Sequence, residues 1–487
     1  MKKVFLQVYV VIVTFLVIGC GGGSDRNVGN DGRSSSTIDK FFFNKISIAG
    51  SSITHGDIKD SSNQGDGYLG ERSYVGEVEK YFRENIADTI NSDELTGADD
   101  EIATPMCYLG KMKVYYAGSE TSGTLAASDE IAIVFGGSSD TTRIQLDVDG
   151  ESFTYTIPKG NYLPVKKTFD DTNVHFYKAF RENNPRAVHV WHLKDDKPHT
   201  FHLKVLSGEL HLNFITNHMY YFQNAGVGGY EAKNFLNTTR AHSNLKDIVA
   251  FNPDLFIFES STNDAKTWEQ DHDQTDSEVS TNKWIVEDPV SFRVRGKTIT
   301  LRRSVDVHKG DIVVMGEYNG DIQNMAVGIV SSDSNGRDIS LSKIVSYANQ
   351  NATEVSSIPQ NIVKRCRVKS ISDWEDRVKR VVQQLQSGVG HTVTVGIGTS
   401  GVPNYYDPAK IHISGMPRRL LGYREKGKIL AAENGWFFAD FFQKTLKVEP
   451  GVDTERKWSY GDNTHPNEQG RVLFGQAVIE AMSPYLK

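Results

Sequence analysis

Apolar and polar positions along this chain switch between two periods, and the switches mark its parts. Residues 41–49 form a β-rich apolar run ending in small residues, and 74–90 carry Val75, Val78, Tyr81, Phe82 and Ile86 at helical spacing. A strand, a loop and a helix in that order predict the opening of an α/β unit. The texture then changes. Residues 112–116, 130–135, 143–148, 152–157, 187–192, 199–206 and 209–215 read as short strands separated by turn residues such as Asp149-Gly150 and Ser207-Gly208, which predicts a β-sandwich or jelly roll over 92–221. The α/β pattern resumes at Asn224 with a helix over 230–237 and a buried strand over 255–258. A second β-rich stretch over 286–345 interrupts it, with strands at 298–301, 311–314 and 326–329, and alternation returns over 372–385, 392–397, 415–434, 437–442 and 466–485. The pattern therefore predicts an α/β core, discontinuous over 39–91 and 222–487, that carries two β insertions.

At 487 residues the chain exceeds the size at which a single hydrophobic core stops growing, which agrees with several parts. A net charge of −7, falling to −9 (−7 − 2) without Lys2 and Lys3, and the lack of any basic block argue against nucleic acid as a partner. The first residues give a basic start, an apolar run from Val8 to Ile18 and then Gly19-Cys20. This reads as a secretory signal over 1–19, and Val17-Ile18-Gly19-Cys20 resembles a bacterial lipobox with Cys20 as the lipidated residue. The run is shorter than the roughly 20 residues a spanning helix needs. Residues 20–38, rich in Gly, Ser and Asn, read as a tether, so the expected location is the bacterial cell envelope, anchored to a membrane. Cys107 and Cys366 remain, and their separation along the chain does not decide whether they pair.

Candidate chemistry sits at the two ends. Near the start, Ser52 lies in Gly50-Ser51-Ser52-Ile53-Thr54-His55-Gly56; near the end, His465 follows Asp462 in Asp462-Asn463-Thr464-His465-Pro466. A serine hydroxyl needs a histidine to take its proton and a carboxylate to orient the imidazole, so this combination points to acyl transfer. Two further blocks lie between them, Asn224 followed five positions later by Gly229, and Ser261-Thr262-Asn263-Asp264 after a strand.

In these four ordered blocks the chain resembles the SGNH hydrolases, the GDSL-like esterases and lipases. The resemblance implies a flavodoxin-like three-layer core and no cofactor. It also implies a triad of Ser52, His465 and Asp462, with an oxyanion hole from the N–H groups of Ser52 and Gly229 and the side chain of Asn263. The chain departs from the usual blocks at Ser51, where an aspartate is common, and at Ser261, where a glycine is common. Ser52 would attack an ester carbonyl and His465 would carry its proton to the leaving alkoxide. Resemblance to SGNH carbohydrate esterases suggests an acylated glycan as substrate and removal of O-acetyl groups. A lipase, thioesterase or O-acyltransferase of the same fold, and a degenerate glycan-binding surface lipoprotein, are the alternative readings.

The first insertion is also rich in histidine, but His189/His192 and His199/His202 are spaced to point to opposite faces of a strand, which argues against a metal site. Asp147-Val148-Asp149-Gly150 reads as a hairpin turn and not a calcium loop. Asp196 and His199 repeat the Asp-x-x-His spacing without the following proline, and are set aside as a decoy. Because the first insertion leaves and rejoins the core next to catalytic blocks in sequence, it is expected to form a wall of the substrate groove.

Overall fold

A computed structural model describes residues 43–56, 73–103, 108–136, 140–159, 188–237, 245–264, 285–287, 293–301, 304, 306–316, 325–348, 352–359, 366–369, 372–401, 415–446, 458–459 and 465–486. Its central sheet contains β1 (Lys45–Gly50), β2 (Tyr221–Gly226), β3 (Leu255–Glu259), β4 (Thr394–Gly398) and β5 (Phe437–Ala439). They lie in the order β2-β1-β3-β4-β5, and each neighbouring pair is parallel. Parallel strands must be covered on both faces, which is why β3 is buried along its whole length.

Among the described residues the α-helices in chain order are α1 (Ser52–His55), α2 (Tyr74–Tyr81), α3 (Ala232–Phe235), α4 (Leu245–Phe251), α5 (Ser372–Val389), α6 (Gly415–Asn434), α7 (Phe441–Leu446) and α8 (Glu468–Met482). Strand alternation sorts them into two layers. Ile46, Ile48, Leu255 and Ile257 share a cluster with Tyr74 and Val78 of α2 and Phe474 and Val478 of α8. Ala49, Phe256 and Phe258 point the other way, into a cluster with Ile248 of α4, Val378 of α5 and Leu430 of α6.

The helix expected over 74–90 is shorter than its pattern. After α2 the chain makes a π-helical turn, Phe82–Ile86, and becomes extended at Ala87. The widened turn lets consecutive Phe82 and Arg83 both point inward, each 1% exposed. Beyond it, Thr89–Asn91 starts the first β region as a strand on Glu209–Thr216.

That region forms two antiparallel sheets among the described residues. One has the order Glu120–Leu125, His199–Ser207, Thr142–Val148, Glu151–Ile157; the other has Asp100–Ala103, Lys111–Tyr116, Glu209–Thr216, Glu130–Phe135, Val188–His192. The expected strands are present. Glu120–Leu125 has no counterpart in the pattern because its run of Glu, Thr, Ser, Gly and Thr lacks apolar alternation. Asp149 and Gly150, at φ 51 and 88, make the two-residue hairpin that their sequence predicts.

The points at which this region joins the core differ from the expectation. Its outgoing and returning strands are paired at residues 89–91 and 214–216, and Asn217 N–H donates to Asp88 O. The chain then enters β2 at Tyr221, which pairs with Lys45, the first residue of β1. Both attachments therefore lie at the amino edge of the parallel sheet, whereas Ser52 follows the carboxyl end of β1. Sequence adjacency misled here because a strand separates its two ends by about 17 Å over six residues.

The second β region forms an antiparallel sheet in the order Ile285–Glu287, Cys366–Lys369, Ile312–Gly316, Met325–Val330, Asp338–Ser346, Thr298–Thr300, Arg293–Arg295, with Thr353–Glu354 also on Asp338–Ser346. It continues past the expected end at 345. Ile299, Val313, Met315, Ile339 and Ile344 form its own cluster, while Ile312, Val314 and Met325 join the core cluster of α4, α5 and α6. The sequence pattern places the start of the last helix at 466. The N-cap is instead Asn467, whose side chain accepts from Gly470 N–H at 3.0 Å, and Pro466 bridges to Ser459. Asn with a side-chain acceptor satisfies a free helix N–H, which proline cannot do.

Candidate active site

Ser52 opens α1 directly after β1. Gly56 closes this single turn in the left-handed region, its N–H donating to Ser52 O. His465 comes from just before α8. Its Nε2 stands 2.7 Å from Ser52 Oγ across 413 positions of sequence. Ser52 is 7% exposed and His465 4%, so the pair is shielded from bulk solvent. At that distance an imidazole can accept the proton of a serine hydroxyl, the geometry that a nucleophile and its base require.

Three of the four sequence blocks are tied together around this pair. Asn224 Nδ2 donates to Thr54 O at 2.9 Å, its Oδ1 accepts from Gly226 N–H, and Val227 N–H donates to Gly50 O. Asn263 Nδ2 donates to Tyr230 O at 3.0 Å, which brings the third block against the residue after Gly229. Gly229 has φ 77, a conformation that residues with a Cβ rarely adopt. Asp462 and Cys20 lie outside the described residues, as does Cys107; Cys366 lies on a strand of the second β region.

The structure adds a residue that the motifs do not contain. Glu259, the last residue of β3, is fully buried, and its Oε2 accepts from Ser51 N–H at 3.0 Å, Ser51 Oγ at 2.7 Å and Thr54 Oγ1 at 3.4 Å. Its Oε1 accepts from Thr262 Oγ1 at 3.5 Å. Burial raises its pKa, against the hydrogen bonds from Ser51, Thr54 and Thr262. Burial, then the nearby Glu259 charge, raise Tyr74 well above the usual range; its hydroxyl is 3.0 Å from Thr54 Oγ1. A charged residue ending the otherwise apolar run Leu255-Phe256-Ile257-Phe258 was the available signal.

Gly50 fits this crowding. A Cβ there would lie 2.2 Å from Thr54 Oγ1, 2.7 Å from Glu259 O and 2.8 Å from Glu259 Oε2. Behind the third block, Asp264 accepts from Ala232 N–H at 3.1 Å and Ser260 Oγ at 3.1 Å, and Ser260 Oγ in turn accepts from Trp374 Nε1. Burial pushes Asp264 up to about 6, against the Ala232 hydrogen bond and with the help of Glu231. Thr262 and Ser400 hydroxyls also meet, and Ser400 N–H donates to Ser261 Oγ at 3.1 Å. Ser261 therefore uses the hydroxyl that distinguishes it from the usual glycine.

The decoy histidine has other partners. His199 Nδ1 is 2.7 Å from Asp149 Oδ2 and its Nε2 is 2.9 Å from Ser128 O, inside the first β region. His189 stacks on Tyr155 with ring centroids 3.6 Å apart, and burial lowers its pKa to about 4.

No protein-family model matches the chain, and no curated protein does. Among solved structures it is similar to a peptidoglycan O-acetylesterase, at 10% identity over 91% of each chain with a TM-score of 0.32. It is also similar to an acetylxylan esterase from Geobacillus stearothermophilus, at 11% identity over 55% of this chain and 74% of that one with a TM-score of 0.28. A GDSL-like lipase from Bacteroides thetaiotaomicron is similar at 10% identity over 54% of this chain and 76% of that one, with a TM-score of 0.27. The functional assignment therefore stands on the residues of this chain.

Proposed function

We propose that this protein is a serine ester hydrolase with Ser52 as nucleophile and His465 as its general base. The observation that carries the reading is the 2.7 Å approach of His465 Nε2 to Ser52 Oγ at the carboxyl edge of a parallel sheet. That edge is where ligands bind in open α/β sheets, and the order β2-β1-β3-β4-β5 supports reading the core as flavodoxin-like. In this reading Ser52 gives its proton to His465 as it attacks an ester carbonyl. The N–H groups of Ser52 and Gly229 and the Asn263 side chain receive the developing oxyanion. His465 protonates the leaving alkoxide, and water then releases the acyl group by the same route in reverse. Asp462 is assigned to orient His465.

The narrower reading is an O-acetylesterase acting on an acylated glycan at the bacterial cell envelope, anchored through Cys20. It is supported by the sequence resemblance to SGNH carbohydrate esterases and by the lipobox-like residues 17–20. The domain reading that goes with it is a core over 39–91 and 222–487 with insertions over 92–221 and 286–345. A small aryl acetate and an acetylated polysaccharide test both levels. Turnover of the aryl acetate that disappears in Ser52→Ala supports the esterase. Acetate release from the polysaccharide supports the glycan. An inactive wild-type protein that is also unreactive at Ser52 toward a fluorophosphonate would exclude the hydrolase. Mass spectrometry of the amino-terminal peptide without a diacylglycerol would exclude the anchor.

A further inference from the structure

We propose that Glu259 is a positioning residue for the nucleophile, supplying from β3 the carboxylate that the Ser52 turn lacks at Ser51; this inference rests on the reading of Ser52 as nucleophile. Its contacts are distributed in a way that burial alone does not require. Oε2 collects the backbone N–H and hydroxyl of Ser51, immediately before Ser52, and the hydroxyl of Thr54, two residues after it. Oε1 takes the hydroxyl of Thr262, immediately before Asn263. One carboxylate thus holds the residue before the nucleophile closely, at 2.7 and 3.0 Å, and makes longer contacts, at 3.4 and 3.5 Å, with Thr54 and with Thr262 beside the assigned oxyanion donor.

The turn needs such a clamp. α1 has four residues, so it has no length of helix to fix the orientation of Ser52. Ser51 relays the restraint: its Oγ donates to Glu259 at 2.7 Å and accepts from Ile53 N–H at 3.3 Å. A change in the backbone at Ser51 would swing Ser52 away from His465. A buried carboxylate is costly without donors, and here its donors are supplied chiefly by the residues it positions.

The geometry also specifies how the carboxylate could be moved. Ser51 Oγ lies 2.7 Å from Glu259 Oε2, so a side chain one carboxylate longer at 51 would reach the space that Oε2 occupies. The two positions can therefore share one carboxylate but not hold two.

The test compares wild-type full-length protein with Glu259→Ala, Glu259→Gln, Ser51→Asp and the double variant Ser51→Asp/Glu259→Ala. Each is measured for melting temperature and for kcat and KM on an aryl acetate. Glu259→Ala is expected to lower kcat at least tenfold with KM within about twofold, because attack geometry and not substrate binding is lost. Glu259→Gln, which can still accept from Ser51 and can donate to Thr262, should retain most of kcat. Ser51→Asp alone should lose activity, and the double variant should regain most of it. If Glu259→Ala does not fold, the double variant and Glu259→Gln still decide. Full kcat in folded Glu259→Ala, or a double variant that recovers melting temperature without recovering kcat, would overturn the proposal and leave Glu259 as a packing residue. A wild-type protein without esterase turnover would overturn the function reading instead, and this inference with it.

Discussion

The two β regions make contact with the same parallel sheet in opposite ways. The first is joined at the amino edge, through the pairing of residues 89–91 with 214–216 and the start of β2. The second lies between Asp264 and α5 in sequence, and Trp374 of α5 donates to Ser260, next to the third sequence block. Each is clipped to the core by a buried arginine. Arg83 pairs with Glu79 at 2.7 Å, lies 4.2 Å over the ring of Phe214 and donates to Tyr220 O. Arg424 makes two hydrogen bonds to Asp440, at 2.9 and 2.6 Å, and contacts Glu425, whose Oε1 accepts from Tyr347 of the second region at 2.8 Å. The first region, larger and nearer to Ser52 in sequence, should therefore govern stability. Residues of the carboxyl edge should govern turnover.

The sharpest way to break that division is at the site itself. Ser52→Ala and His465→Ala should each lower aryl acetate turnover by about a thousandfold or more, with unchanged thermal melts. A large fall in melting temperature would show that the carboxyl edge also carries stability.

Next comes the amino edge. Arg83→Ala leaves Glu79 buried without its partner, and should cost about 3 to 5 kcal/mol in denaturant unfolding, with kcat of the folded fraction unchanged. Loss of kcat at full stability would instead mean that the first β region communicates with Ser52.

Gly50→Ala should cost about 1 to 3 kcal/mol by overpacking. Because the crowded atoms belong to Thr54 and Glu259, it should also reduce kcat, by up to about a hundredfold. Stability loss without kinetic loss would separate the turn from its packing.

The smallest effect is electrostatic. Asp264 titrates at about 6 in the fold, above its ordinary value of 3.8. The native state therefore holds the proton more tightly, and the associated stability is complete below about pH 4 and lost as pH rises to about 6. Asp264→Asn should flatten that part of the wild-type stability curve. An identical slope in both proteins would assign it to other groups.

Much of this arrangement was legible in the sequence because it depends on local pattern. The apolar run of β3, the helix of α6 and the hairpin at Asp149-Gly150 each follow from nearest neighbours. The approach of His465 to Ser52 was legible because short motifs record chemistry that needs particular residue types. Glu259 was not, because its partners Ser51 and Thr54 lie more than 200 positions away and a single glutamate at a strand end has no periodicity. The location of the first β region was hidden for a related reason: sequence order shows which blocks flank an insertion, but not which end of a strand each flank occupies. The π-helical turn at Phe82–Ile86 kept helical spacing while changing the number of residues per turn, so the apolar pattern ran past the end of α2.

The paired strands at residues 89–91 and 214–216 have a consequence for how this architecture can change over evolution. Where two crossings are that close, with Asp88 O accepting from Asn217 N–H at 3.0 Å, the segment between them could be spliced out and the gap closed by a short turn. Its apolar interior opposes that. Phe214 and Tyr220 pack with Phe82 and Phe222 in the cluster that covers β2, an edge strand of the parallel sheet. The first β region therefore acts as a roof over that flank, easy to cut by connectivity and costly to lift off, so a lineage that discarded it would need a replacement cover in the same step.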